Sequence, residues 1–275
     1  MSAVDAQVRE ALAWLEQQGS KRVRDDMRTR YGIIAPKAFG VPVGAIQQLA
    51  KRLGRSHELA GALWATGWYE ARMLTAYVDK PERVTAAQMD RWARQFDNWG
   101  ICDTLCFCLF DRTPHAWKKV EQWSRRDEEF VKRAAFALLA SLAGHDKTSG
   151  DEPFLRSLGL IERAATDERN FVRKGVSWAL RSMGRRGPAV RAAAVELAGR
   201  LSASADRTAR SVGKEGLRDL AKMKQRAKTR SGRREVVTCL TAPGRRRERP
   251  LPSARCGCRA NLLPCHRARA GGADC

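Results

Sequence analysis

The chain has 275 residues, 43% of them apolar, enough to fill a core for one large domain or two small ones. Lys and Arg number 52 against 30 Asp and Glu, a net charge of +22. That balance points to an anionic partner, most simply nucleic acid, and no apolar run is long enough for a transmembrane helix.

Apolar residues recur at helical spacing nearly throughout, and strand-like alternation is almost absent, so the predicted elements are all helices. The first spans about 4–18. Because Met1 to Glu16 already reads as an amphipathic helix rather than a charged-then-apolar leader, the protein is expected to stay in the cytoplasm. Helices follow near 20–30, 43–54, 57–65 and 68–78, with Pro36 and Gly40 as breakers. After Pro81 a helix over 86–96 is expected to open on a capping box, Thr85 with Gln88 three residues on. The next spans 99–110, with Asp97 and Asn98 as N-cap residues. Cys102, Cys106 and Cys108 lie in it, an arrangement that suits buried free thiols rather than disulfides. Further helices are predicted near 114–124, 128–143, 152–165, 170–184, 188–202 and 207–222, punctuated by Pro114, Gly150, Pro153, Gly187 and Pro188.

Residues 221–275 hold 15 basic and 3 acidic side chains, while 1–220 hold 37 and 27, so the body is basic without its tail. Past about Lys222 the apolar period fades and Pro, Gly, Arg and Cys dominate. The expected division is a helical domain over 1–224 and a basic, Cys-containing tail over 225–275 that is disordered. Cys256, Cys258, Cys265 and His266 match no trusted metal spacing, so no metal is assigned there.

The chain repeats itself. Asp127–Ala143 reads DEEFVKRAAFALLASLA, and 41 residues later Glu168–Gly184 reads ERNFVRKGVSWALRSMG. Phe130 matches Phe171, Lys132 matches Arg173, Arg133 matches Lys174, and Ala137 stands where the second copy has Trp178. A weaker copy, EARMLTAYV at 70–78, puts Arg72 in the place of Arg133. A period of about 40–47 residues marks HEAT-like arrays, which stack into a solenoid with a continuous concave face. The fold class expected is therefore an all-α, HEAT-like helical-repeat solenoid with a concave basic face, its track formed by Arg72, Lys132, Arg133, Arg173 and Lys174.

The stretch Phe96–Asp103 carries the chemistry. Trp99 and Asp103 are four apart and share one face of a helix, and a carboxylate near a helix start sits in a positive backbone field. An aromatic beside a fixed negative charge suits a ligand that carries or develops positive charge. The plain alternative makes Trp99 a core aromatic and Asp103 a structural helix-end residue. Lys132 and Arg133 fall at a helix start, where amides and cations suit a phosphate, and Arg173 and Lys174 repeat the arrangement. Trp178 shares a face with Lys174; its own alternative is core packing. Trp64, Trp68, Trp92, Trp117 and Trp123 are assigned to packing. A phosphate-cradling glycine loop, a G-x-S-x-G elbow and a zinc deaminase signature are all missing, and His57, His115, His145 and His266 have no metal spacing.

Taken in order, these residues resemble the HEAT-repeat DNA alkylation repair family, the AlkD-like alkylpurine DNA glycosylases. The resemblance covers about 20–222 and rests on DNWGICD with Trp99 and Asp103, on Arg133 in FVKRAAFAL, and on Trp178 in FVRKGVSWALR. YGI at 31–33, FGVPVGAIQQLAK at 39–51 and EARMLTAYV add to it. It implies hydrolysis of the N-glycosidic bond of cationic N3- and N7-alkylated purines in duplex DNA, by a monomer without a cofactor. Carried over, Asp103 is the catalytic carboxylate, Trp99 and Trp178 the aromatic walls, and Arg133 the contact to the DNA backbone near the lesion. A non-catalytic binder of damaged or branched DNA on the same scaffold, and a protein-binding scaffold without a DNA role, stand as alternatives.

Overall fold

Local sequence signals start several of the helices. In this computed structural model, which describes the backbone of residues 2–235 and side chains through Lys222, Ser2 and Asp5 form a capping box that opens α1 (Ala3–Gln17). α2 (Lys21–Thr29) and α3 (Val43–Leu53) follow. Ser56 caps α4 (His57–Ala65) by accepting from the Leu59 amide. α5 (Tyr69–Val78) comes next, then a 3-10 turn at Pro81–Arg83. Thr85 caps α6 (Ala86–Ala93), accepting from the Gln88 amide at 3.1 Å. The predicted return bond from Gln88 is not made: its buried amide donates instead to Asp79 at 2.8 Å, a partner that only folding brings near. Asn98 caps α7 (Trp99–Cys108), its side-chain oxygen taking the Ile101 amide at 3.0 Å. A second 3-10 turn, Phe110–Arg112, leads to α8 (Ala116–Trp123), α9 (Glu129–His145) and α10 (Glu152–Ala164). α11 (Asn170–Met183), α12 (Pro188–Ser202) and α13 (Arg207–Glu235) complete the order. No strand occurs among the described residues.

The last helix runs to Glu235, past the expected end near 222. The tail expectations beyond it, disorder and the absence of metal at Cys256, Cys258, Cys265 and His266, lie outside the described residues. No helix among the described residues is long and apolar enough to cross a membrane.

Every second helix packs on the next of its kind. α5 lies on α7, α7 on α9, and α9 on α11, while α4, α8 and α10 pack against α5, α9 and α11. Ser177 and Arg181 of α11 then reach Glu215 and Asp219 of α13 at 2.8 and 3.1 Å. A single apolar core runs from Ala11 to Val212. α7 sits in the middle of it, with all residues from Gly100 to Cys106 buried. Cys102 and Cys106 are free thiols whose sulfurs reach the Phe130 and Ala134 carbonyls of α9 at 3.6 and 3.5 Å. Gly100 sets how closely α5 and α7 approach, since a Cβ there would lie 2.5 Å from the Tyr69 hydroxyl. The two copies of the repeat face each other through Phe130 and Phe171, whose rings are 5.2 Å apart.

Candidate functional site

Asn98 fixes where α7 begins, and so fixes Trp99 at its first position and Asp103 one turn later. Trp99 is half-buried. Its indole N–H donates to the Tyr31 carbonyl at 2.9 Å, and the Tyr31 ring meets it edge-on at 6.4 Å. Asp103 is 6% exposed. Arg133, from α9, grips it with two bonds, Nε to Oδ1 at 2.9 Å and Nη2 to Oδ2 at 2.6 Å. The third guanidinium nitrogen, Nη1, donates to the Phe171 carbonyl of α11 at 2.8 Å. Burial works against charge on Arg133, but Asp103 outweighs it and holds the guanidinium pKa above its ordinary value. One side chain therefore joins three alternate helices, α7, α9 and α11, at the carboxylate.

The geometry of Arg133 differs from the sequence reading, which gave it to the DNA backbone. All three of its nitrogens already bond protein acceptors, and the residue is 6% exposed. Asp103 is the reason: a carboxylate one helix away outcompetes solvent for a planar fork of donors.

Trp178 is also half-buried, and it is stacked on Phe107, with centroids 4.9 Å apart and planes 6° from parallel. Phe107 in turn meets the edge of His145 at 5.3 Å. Phe107 stands four residues after Asp103, as Trp99 stands four before it, so one face of α7 carries Trp99, Asp103 and Phe107 in a row about 12 Å long. Trp178 is attached to the far end of that row. Sequence reasoning missed Phe107 and the contact between Tyr31 and Trp99. The i, i+4, i+8 spacing on α7 was the available signal for Phe107.

The remaining cations divide. Lys132 pairs with Asp167 at 2.9 Å, and Arg169 holds the same carboxylate with two bonds of 2.9 and 2.6 Å. The Arg169 guanidinium first, then Lys132, hold Asp167 well below the usual carboxylate range against the opposing effect of burial. Arg173 is half-buried and only 3.5 Å from the Asn170 side chain; Lys174 is exposed. Arg72 lies over the Trp64 ring at 4.9 Å. The tryptophans assigned to packing do pack: Trp64 stacks on Trp92, Trp68 on Phe39, Trp117 meets Phe154, and Trp123 is buried beside Phe110. Among the described residues no group of His, Cys, Asp and Glu could hold a metal ion.

The arrangement offers a fixed, buried carboxylate between two partly open aromatic side chains on a basic chain without strands among its described residues. A solved structure described as a new family of proteins related to the HEAT-like repeat DNA glycosylases, with affinity for branched DNA structures, superposes with a TM-score of 0.64 at 20% identity. The match covers 75% of this chain and 92% of that one, and it establishes a HEAT-like repeat fold. An engineered protein matches at a TM-score of 0.38 and 14% identity over 80% of this chain and 99% of that one. No curated protein matches the chain. The family profile described as DNA alkylation repair enzyme matches residues 11–220, and the chain belongs to that family.

Proposed function

We propose that the chain is a DNA glycosylase that hydrolyses the N-glycosidic bond of cationic N3- and N7-alkylated purines in duplex DNA. It acts as a monomer, without cofactor, in the cytoplasm. The observation that carries the reading is the buried Asp103 carboxylate, held on two points by Arg133 and flanked at one-turn spacing by Trp99 and by Phe107 with Trp178. An alkylated purine already carries positive charge. When its bond to C1′ breaks, the electron pair passes to the purine ring, which leaves neutral, and positive charge moves to the deoxyribose. A fixed carboxylate close to that sugar stabilises this state more than the ground state. Water oriented by Asp103 adds to C1′, and the proton it loses passes to bulk water. Arg133 keeps the carboxylate in place before the substrate arrives, so little reorganisation is needed during reaction. Trp99 and Trp178 favour the cationic nucleotide by about 0.5–2 kcal/mol. Arg72, Lys132, Arg173 and Lys174 are the proposed contacts to the DNA backbone.

The deciding experiment is single-turnover release of 7-methylguanine or 3-methyladenine from methylated duplex DNA. Asp103→Asn is expected to lower the rate about 100-fold or more. Full activity in that variant sinks the catalytic assignment. One observation favours a second reading, a non-catalytic binder of damaged or branched DNA: Arg133 already bonds both oxygens of Asp103, which weakens the field the carboxylate can exert. A wild-type protein that binds branched DNA and releases no base would establish that alternative.

A further inference from the structure

A second polar site lies away from Asp103, in the groove between α4 and α6. It encloses about 420 Å³, and its polar lining comes from His57, Gln88, Arg91 and Gln95 with Arg72 of α5. No carboxylate lines it among the described residues. Behind the wall, the buried Asp79 bonds His57 Nδ1 at 2.7 Å and the Gln88 amide at 2.8 Å, which fixes both side chains. Asp79 is therefore already engaged and does not neutralise the groove's arginines. Arg91 is exposed and forms no ion pair among the described residues. Arg72 is under-used: its Nε is buried without a hydrogen-bond partner, and its Nη2 reaches only Gln95 Oε1, at 3.5 Å. With one long bond among its terminal nitrogens, the Arg72 guanidinium keeps donor capacity that a ligand in the groove could use.

Two guanidinium groups with no carboxylate to meet select an oxyanion, and their planar forks match phosphate. The aromatic residues narrow the choice further. Trp64 carries Trp92 stacked at 4.4 Å and the Arg72 guanidinium over its ring at 4.9 Å. Its indole N–H is held by Gln95 at 2.8 Å. A ring so occupied gives a base no platform to stack on, so the groove can read charge but not base identity. The facing residues run from His57 to Trp64 on α4 and from Gln88 to Gln95 through α6, about 10 Å each, longer than a lone phosphate needs.

We propose that the groove between α4 and α6 is a second nucleic-acid contact, taking a backbone phosphodiester between Arg72 and Arg91 with His57 and Gln95 as further partners. The proposal rests on the chain being a DNA-binding protein, but not on base release. Two measurements test it on the full chain. Inorganic pyrophosphate is titrated while the indole N–H resonance of Trp64 is followed, and duplex affinity is measured against salt for the wild type, Arg91→Glu and Arg72→Gln/Arg91→Gln. The wild-type resonance should move, and the double variant should not respond. In the variants the slope of log affinity against log salt should shrink by about 1 for each phosphate no longer neutralised. An unchanged slope in Arg91→Glu overturns the proposal whatever the double variant does, because Arg72 is already a proposed contact of the track. A Trp64 shift with pyrophosphate but an unchanged slope also overturns it, because the groove then serves free phosphate rather than a backbone. If the double variant melts early, the exposed Arg91→Glu alone carries the test. A wild type that releases no methylated base defeats the glycosylase reading and leaves both of these readouts intact.

Discussion

Arg133 is the residue on which most of the candidate site depends. It is buried, it holds Asp103 on two points, and it ties α9 to α7 and to the Phe171 carbonyl of α11. Removing one member of a buried ion pair leaves the other charge without compensation, at a cost of about 3–5 kcal/mol. Arg133→Gln should therefore lower the melting temperature by about 10 °C, followed by circular dichroism. Arg133→Lys keeps the charge but not the planar fork, so it should melt closer to wild type while still slowing base release. Equal melting of wild type and Arg133→Gln would show that the pair contributes nothing to the fold. Asp103→Asn loses its attraction to Arg133 as well, so its rate has to be compared at a temperature where both proteins are folded.

At the scale of elements, contact between neighbouring helices decides the outcome. α5 and α7 approach so closely that Gly100→Ala would push a methyl group into the buried Tyr69. Such overpacking costs about 1–3 kcal/mol and should displace Trp99 and Asp103 with the helix start, so chemical denaturation and base release should both suffer. α9 and the start of α11 are joined differently, through Lys132 and Arg169 on Asp167. The pKa of Asp167 is lowered in the folded state, so the unfolded chain binds its proton first as the pH falls. Its contribution is complete above about pH 5 and is lost as the pH drops below the ordinary carboxylate value of about 3.9. Urea midpoints at pH 7, 5 and 3 should show wild type and Asp167→Asn converging at the acid end. A constant difference across the three values would remove Asp167 from the acid response.

For the whole molecule the charge is the organising quantity. Of the five cations assigned to a DNA track, Arg133 is buried on Asp103 and Lys132 is paired with Asp167, while Lys174 is exposed. Within that track, and apart from what Arg72 and Arg91 contribute at the α4–α6 groove, the salt-dependent part of duplex binding should then fall on Arg173 and Lys174. Charge reversal of both should flatten the log-log salt slope by about 2. An unchanged slope would take them out of the interface. The buried apolar residues described lie between Ala11 and Leu220. A chain cut after Lys224 should keep the melting transition of the full chain, as calorimetry would record; a large drop would give the tail a structural part.

The sequence by itself determined the helices, their caps at Thr85 and Asn98, and the paired repeat that became α9 and α11. It also put Trp99 and Asp103 on one face. Those features are local: they depend on residues three or four apart, or on a pattern copied along the chain. The tertiary structure decided which partners those residues meet. Arg133 finds Asp103 30 residues away and the Phe171 carbonyl 38 residues away. Gln88 leaves its cap for Asp79, and Glu70 at the start of α5 is buried under the backbone amides of Phe39, Gly40 and Val41. Trp178 acquires Phe107 from α7, four helices earlier in the chain. Such pairings follow from how closely and at what register helices pack, which is set by the shape of the whole core rather than by any stretch of it.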